Sequence, residues 1–253
     1  MAGTIREWDA TAYQRVSVPH EEWARAVVDR LALQGGETVL DAGCGTGRLT
    51  RMLIERLPRG RVIGIDGSRA MVEKVGKILR PRDEARSGDL TKLELGDRVD
   101  AIGSSAVFHW ILDHDALFSR MHACLKPGGR LAAQCGGAGN IDKLRQTSRE
   151  VAAREPYADH LRGLAEPWNY AGAEETEGRL RDAGFEAVRC WLQPWEVVPP
   201  EPFEFLRVIC LAPYLDPLPS ELHDPFIRAV LAAEGEPLRL GYVRLNIDAQ
   251  APL

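Results

Sequence analysis

Hydrophobic positions along the chain change period in a regular way. After a polar start, Trp23, Ala26, Val27 and Leu31 recur at helical spacing and stop at Gly35-Gly36. That pattern predicts one amphipathic helix over about 20–33. From 37 to 135 short β-branched runs alternate with helix-like stretches. The runs are Thr38-Val39-Leu40, Arg61 to Ile65, Val99 to Ile102 and Arg130 to Ala133. Strands separated by crossover helices form a parallel sheet with both faces covered, so the fold class is α/β, doubly wound. Each strand-to-helix turn then lies on the carboxyl edge of the sheet, where such folds bind ligands.

Beyond 135 the rhythm loosens. Residues 140–156 and 174–183 read as helices and Phe185 to Leu192 as a strand. Eight prolines between Pro194 and Pro225 follow, enclosing apolar helical segments at about 203–212 and 221–234. The last element, Tyr242 to Asp248, alternates with period two and reads as a final strand. The chain is expected to form one domain over 1–253, with an N-terminal helical cap at 1–36. A helical insertion at 195–238 is expected to interrupt the last two strands.

Composition narrows the class. The 253 residues carry 32 Lys+Arg against 37 Asp+Glu, a net charge of −5, with 45% hydrophobic and 27% charged residues. These are globular values that exclude wholesale disorder. No apolar run approaches the roughly 18–20 residues of a membrane span, and Met1 to Asp9 lacks a basic-then-apolar signal pattern. Mild acidity without a basic tract argues against a nucleic-acid partner. The cysteines at 44, 124, 135, 190 and 210 are odd in number and scattered. Reduced thiols in a cytoplasmic protein are expected, with no disulfide frame. No Asp/Glu/His cluster has metal-ligand spacing, so no metal is expected.

The strongest chemical signal is Val39-Leu40-Asp41-Ala42-Gly43-Cys44-Gly45-Thr46-Gly47-Arg48. A buried strand runs into a glycine-rich turn and a helix expected to start near Thr46. Glycines admit a close ligand, and the helix N-terminus offers free N–H groups. A dinucleotide fingerprint, G-x-G-x-x-G, needs glycine at 48, where this chain has Arg. Asp41, two residues before the first glycine, repels a pyrophosphate and suits a cationic amino-acid ligand. The second strand ends in Asp66, followed by Gly67 and Ser68. A carboxylate there accepts both hydroxyls of a ribose, or serves as a solvated charge or helix cap; Ser68 suits the N-cap of the next helix. Ser87-Gly88-Asp89-Leu90 offers an acid and an apolar neighbour for an adenine, or is an ordinary turn.

Together these residues resemble the class I S-adenosylmethionine-dependent methyltransferases. Asp41-x-Gly43-Cys44-Gly45-x-Gly47, Asp66, Gly88-Asp89-Leu90 and Leu125-Lys126-Pro127-Gly128-Gly129-Arg130 stand in that family's order and spacing. The resemblance implies a mostly parallel seven-stranded Rossmann-like sheet, with 37–135 as the cofactor-binding half. It implies S-adenosylmethionine as cofactor, S-adenosylhomocysteine as product, and a small-molecule methyl acceptor. By the same resemblance the glycine loop meets the methionine part, Asp66 the ribose, Asp89 and Leu90 the adenine, and Met71 packs near the ring. Gly67, Ser104 and Ser105 complete that side of the candidate set. Lys126 to Gly129 is implied to be the turn into the fifth strand.

A narrower likeness is to the trans-aconitate methyltransferase group, which esterifies small carboxylic acids. Its residues are Val107-Phe108-His109-Trp110-Ile111-Leu112-Asp113-His114-Asp115, Leu131 to Gln134, and Trp8-x-x-x-x-Tyr13. Tyr13 and His20 join the candidate cofactor contacts on this basis. Related enzymes often carry Gln where this chain has His20, a departure from the pattern.

A sulfonium methyl passes in line to a nucleophile, so alignment is the main task. A carboxylate acceptor needs no base at neutral pH; a phenol or alcohol benefits from one. His109 is the candidate catalytic residue. Histidine's ordinary pKa near ~6.5 suits a base, and the alternative is a pocket-wall residue bonded to backbone. His114, beside Asp113 and Asp115, reads as a surface helix start. Trp168-Asn169-Tyr170 is a candidate acceptor wall or a surface anchor. Arg207 and Arg244 are candidates for an acidic substrate, or paired charges. Cys44 reads as packing, although a helix N-terminus can lower a thiol's pKa. O-methylation of a carboxylate or hydroxyl is the leading expectation. The alternatives are C- or N-methylation, or a cofactor-binding protein without transfer.

Overall fold

The structure is a computed structural model describing residues 20–253. Strands β1 (Thr38–Ala42), β2 (Arg61–Asp66), β3 (Glu84–Ser87), β4 (Val99–Ser105) and β5 (Leu125–Gly136) run parallel. With β6 (Glu186–Val197) and β7 (Leu240–Gln250) they make a seven-stranded sheet of order β3-β2-β1-β4-β5-β7-β6, in which β7 is antiparallel to both neighbours. Neighbouring residues of a strand point to opposite faces; Val39 and Leu40 are both fully buried, so β1 is covered on each side.

One face is covered by α1 (His20–Arg30) and α2 (Arg48–Arg56), whose Ala24, Val27, Leu49 and Leu53 pack on Val39, Val62 and Ala101. On the other, Leu117, Phe118 and Met121 of α4 (His114–Cys124) pack on Leu40, Ile63 and Ile102. Between β2 and β3 lies α3 (Arg69–Gly76), capped by Ser68, whose hydroxyl accepts from Met71 N. After β5 come α5 (Asp142–Ala152), α6 (Ala158–Leu161) and α7 (Ala173–Asp182). The insertion between β6 and β7 holds α8 (Pro202–Phe205), a π-helical turn at Leu206–Cys210, α9 (Ala212–Leu215) and α10 (Ser220–Glu234). Phe205, Leu206, Tyr214 and Phe226 from the insertion join Leu144 and Val151 of α5 with Trp23, Trp168 and Tyr242 in a separate core.

Several boundaries differ from the sequence expectation, each for a physical reason. β6 continues past Pro194 to Val197; it is the last strand of the sheet, where a residue without an N–H costs no ladder bond on its open side. The segment expected as one helix over 203–212 is helical from Pro202 to Cys210, widening into the π-helical turn at Leu206 and ending before Ala212, where α9 with its Pro213 begins. The Lys126-Pro127-Gly128-Gly129 segment lies within β5 as an irregularity, with the Val99–Leu125 and Ala101–Arg130 pairings offset. β3, unremarked in the hydrophobic pattern, is a short polar edge strand, Glu-Ala-Arg-Ser. His114 is buried, with Nε2 3.0 Å from Phe108 O, and is not at the surface. Asp113 caps α4 by accepting from Ala116 N.

Arg30 fastens α1 to the sheet. Its Nε lies 2.9 Å from Asp248 Oδ1, Nη1 donates to Asn246 Oδ1 at 2.8 Å, and Nη2 donates to Ala133 O at 2.6 Å. Its guanidinium also covers Trp191, 5.1 Å from the ring centroid. Removing the cation leaves a half-buried carboxylate and a carbonyl without their partner. Arg30→Met is therefore expected to lower the unfolding free energy in urea by about 2–4 kcal/mol. A change below about 0.5 kcal/mol, the level of an ordinary surface substitution, would show that packing alone holds α1.

Candidate active site

β1, β2 and β4 end together on one edge of the sheet, and the turns after them build the site. Gly43 N and Cys44 N both donate to Ile65 O, at 2.8 and 3.0 Å, and Gly47 N donates to Cys44 O at 2.9 Å. Gly43, Gly45 and Gly47 have φ of 86°, 51° and 92°, a left-handed path that suits glycine. Gly43 is also fixed by crowding, since a Cβ there would lie 2.2 Å from Val107 Cγ2. At Gly45 a Cβ would meet nothing among the described residues within 4 Å, so space opens over the loop. α2 starts at Arg48, with Gly47 as its N-cap, two residues later than the expected Thr46.

Asp66 sits at the tip of β2 with Oδ2 accepting from Gly45 N at 2.8 Å and Oδ1 accepting from Ser68 N at 2.9 Å. Each carboxylate oxygen has a further lone pair, so the group can clamp the loop and still accept hydroxyls. Gly67, between Asp66 and Ser68, is partly exposed. Asp89 Oδ1 accepts from Thr91 N and Thr91 Oγ1, at 2.9 and 2.7 Å, and Oδ2 lies 3.6 Å from Lys92 Nζ. Burial alone would raise its pKa, but the Thr91 bonds and Lys92 bring it below the usual range. Leu90, which follows Asp89, and Met71 of α3 are both buried.

Three candidates lie beneath the surface. Asp41 is fully buried, with Oδ2 accepting from Thr50 Oγ1 at 2.5 Å and Oδ1 without a hydrogen-bond partner among the described residues. It underlies the loop and holds the first turn of α2 through Thr50. Ser104 is likewise fully buried; its hydroxyl donates to Ala42 O at 2.7 Å and ties β4 to β1. Ser104 thus lies below the surface of the site, within the sheet. Cys44 is buried, its thiol pKa pushed up by burial and by Asp41 and Asp66, and its sulfur lies 3.1 Å from the position of a Cβ on Gly64. It packs the loop on β2. Tyr13 lies outside the described residues, and of His20 only the backbone, opening α1, is described.

The other half of the site is built beyond β4. Ala106 adopts a left-handed conformation (φ 62°) while its N–H donates to Gln134 O, a local strain of about 1 kcal/mol that redirects the chain. The following turn, Phe108–Trp110, presents His109, which is buried. Gly136 N, on β5, donates to His109 Nδ1 at 3.2 Å, and Asn169 N donates to His109 O at 2.8 Å. The His109 ring faces Trp110 and Tyr170, with centroids 5.3 and 5.7 Å away, and Trp168 stacks on Tyr170 at 5.6 Å. Trp168-Asn169-Tyr170 is therefore fastened to the turn that carries His109. Gly136 is required here, as a Cβ would lie 2.5 Å from Tyr170 Cε1.

Arg244 of β7 stands directly across from Gly136 in the β5–β7 register. Its buried guanidinium donates from Nε and Nη2 to Gln134 Oε1 and covers Trp23 at 4.1 Å, while Gln134 Nε2 donates to Ser105 Oγ at 2.7 Å. A chain of polar contacts thus joins the tip of β4 to β7. Sequence reading noted Ser105, Gln134 and Arg244 separately; Gly136 was missed, and its signal was the Gly136-Gly137 pair closing β5. Arg207, by contrast, is on the insertion, within 4 Å of Glu204 and Asp224, and belongs to a surface ion cluster.

Sheet order, glycine loop and strand-end carboxylate together define a Rossmann-like class I methyltransferase. A methyltransferase-domain family matches residues 39–129. The trans-aconitate 2-methyltransferase of Acidovorax sp. (strain JS42) is 31% identical over 236 residues, covering 92% of this chain and 90% of that protein. That of Azoarcus sp. (strain BH72) is 31% identical over 231 residues, covering 88% and 87%. Among solved structures, the Bacillus YcgJ protein has a TM-score of 0.63 at 14% identity, covering 92% of this chain and all of that one. Haemonchus contortus phosphoethanolamine N-methyltransferase 2, solved with S-adenosylhomocysteine, has a TM-score of 0.64 at 18% identity. It covers 96% of this chain, which spans 57% of that longer one. The chain belongs to the S-adenosylmethionine-dependent methyltransferases, in the trans-aconitate 2-methyltransferase family. Its cofactor is S-adenosylmethionine, and the site fits that cation: open space over Gly45, Asp66 at the rim, and the orphaned oxygen of Asp41 below.

Burial first, then the neighbouring Asp66, raise the Asp41 pKa to about 7 against the opposing Thr50 bond. The folded protein therefore holds this proton more tightly than the unfolded chain, whose Asp titrates near ~3.9. Its contribution to stability falls as pH rises from about 4 to 7, by up to about 4 kcal/mol. Cofactor-free Asp41→Asn should match wild type near pH ~4 and exceed it by up to about 4 kcal/mol at pH 8. A gap between the two proteins that stays constant with pH would rule out ionisation of Asp41 in this window.

Proposed function

We propose that this methyltransferase esterifies a small carboxylic acid of the trans-aconitate type. The observation that carries the reading is the position of Arg244, a buried cation across the strand pair from the residue that holds His109. A fixed positive charge beside an aromatic-walled site attracts and orients an anionic acceptor. The names of the sequence relatives support the same acceptor class.

When bound, S-adenosylmethionine supplies a methyl group already activated on a positively charged sulfur. In this reading Gly43, Cys44 and Gly45 lie along its methionine part and Asp66 takes the ribose hydroxyls, with Gly67 alongside. Asp89 faces the adenine amino group, Leu90 and Met71 back the ring, and Ser105 lies where the cofactor and acceptor sides meet. Arg244, Tyr170 and Trp110 bound the acceptor, and the helical insertion at 195–238 closes over it and excludes water.

Two measurements test this. S-adenosylhomocysteine titrated calorimetrically should bind Asp66→Ala at least about tenfold more weakly than wild type, each lost charge-assisted hydrogen bond being worth about 1.5–3 kcal/mol. With trans-aconitate as acceptor, Arg244→Met should raise KM by about 10-fold or more while Arg244→Lys retains part of the affinity. Turnover of amines or phenols, with none of trans-aconitate or related di- and tricarboxylates, would overturn the acceptor assignment.

A further inference from the structure

The bond between Gly136 and His109 has a direction. A backbone amide only donates, so His109 Nδ1 must accept. In a neutral imidazole with Nδ1 as acceptor, the proton resides on Nε2. A doubly protonated ring would bring two N–H groups face to face at this contact. Gly136 cannot turn away, because its backbone is paired with Arg244 in the β5–β7 ladder and Tyr170 fills the space where a Cβ would be. The ring itself is held by the Phe108–Trp110 turn, by Asn169 N on its carbonyl, and between Trp110 and Tyr170.

We infer that His109 is a neutral hydrogen-bond donor from Nε2 that orients the acceptor, and that the enzyme accepts oxygen nucleophiles only when they arrive ionised. The acceptor clause of this inference rests on the proposed function; the tautomer does not. For a carboxylate the step balances without His109 changing protonation. The O–CH3 bond forms as the S–CH3 bond breaks, the electron pair of the broken bond stays on sulfur, and no proton moves. A phenol or alcohol would have to lose a proton, and Nε2 already carries one. His109 thereby distinguishes carboxylic acids from hydroxyl acceptors that fit the same space.

The titratable and charged groups around the ring among the described residues oppose a second proton on it. Tyr170 is neutral, its phenol pushed up by burial. The Arg145 guanidinium lies 5.2 Å from the Tyr170 ring centroid, paired with Asp142 and Glu166, and Arg244 acts on the same phenol. Cys135, bonded to the backbone of His109, is kept a thiol by burial, its pKa pushed up to about 11. Two neutral groups and the buried Arg244, whose partner Gln134 is uncharged, favour the uncharged imidazole, while the charge of Arg145 is met by its two carboxylates.

The direct test is long-range proton–nitrogen NMR on histidine-labelled protein saturated with S-adenosylhomocysteine, the His109 signals being assigned by their absence in His109→Gln. The expected spectrum has Nε2 protonated and Nδ1 unprotonated, unchanged from pH 6 to 8.5. An Nδ1–H tautomer, or titration within that range, would overturn the inference. The kinetic arm uses trans-aconitate and catechol as probes. His109→Gln, which keeps an N–H donor, should retain kcat within about fivefold, whereas His109→Ala should lose about 10–100-fold. Wild-type kcat with the acid should be flat over the same pH range. If His109→Gln is as slow as His109→Ala and wild type shows an acidic limb that both lack, the residue is a base. Failure of wild type to methylate any acid while the ring keeps its neutral Nε2–H form would refute the acceptor class and leave the assigned tautomer standing.

Discussion

The site depends on the absence of a side chain at Gly43. A single methyl there would overlap Val107, so the turn after β1 and the turn after β4 are pressed together. That contact sets the distance between the two halves of the site. On one side, Gly43 and Cys44 are sealed to Ile65 and Gly45 to Asp66, which fixes the loop to the tip of β2. On the other, Val107 begins the turn that carries His109. The glycine loop and the turn that carries His109 are held at a fixed separation by one steric constraint. Methyl transfer needs little more from the protein than such alignment.

The negative charge of the cofactor side is graded by depth. Asp66 is at the rim, with both oxygens tied to backbone N–H groups and capacity left for hydroxyls. Asp41 is sealed below, one oxygen on Thr50 and the other without a partner among the described residues. A carboxylate so buried carries a desolvation penalty, which a cation overhead offsets. The loop thus suits a cation by its charge as well as by its shape. The same arrangement argues against a pyrophosphate, whose charge would meet two carboxylates.

The fold was legible where strands are buried on both faces, because Val39-Leu40 and Val62-Ile63 leave no polar alternative. It was less legible at β3, an edge strand of Glu-Ala-Arg-Ser with no hydrophobic signature, and at β6, where Pro194 looked like an end but lies on an open edge. In the site, the glycine spacing and Asp66 could be read because their chemistry is local. Ser104 and Asp41 could be placed at strand ends, but the pattern does not tell a rim residue from one beneath it. His114 was misplaced for a related reason: its acidic neighbours suggested water, while its ring turns inward to Phe108 O.

What the sequence hides most is the coupling across strands. Ser105, Gln134 and Arg244 are 29 and 110 residues apart along the chain, yet they form one hydrogen-bonded row. The row exists because β7 is inserted antiparallel between β5 and β6, bringing the start of the last strand to the edge where β4 ends. A parallel strand at that place would put its beginning at the opposite edge and leave Gln134 without the guanidinium. The reversed strand therefore has a chemical consequence besides closing the sheet. It brings a cation to the sheet edge where β4 ends, and returns the chain there from helices that pack against Trp168, Trp110 and Tyr170.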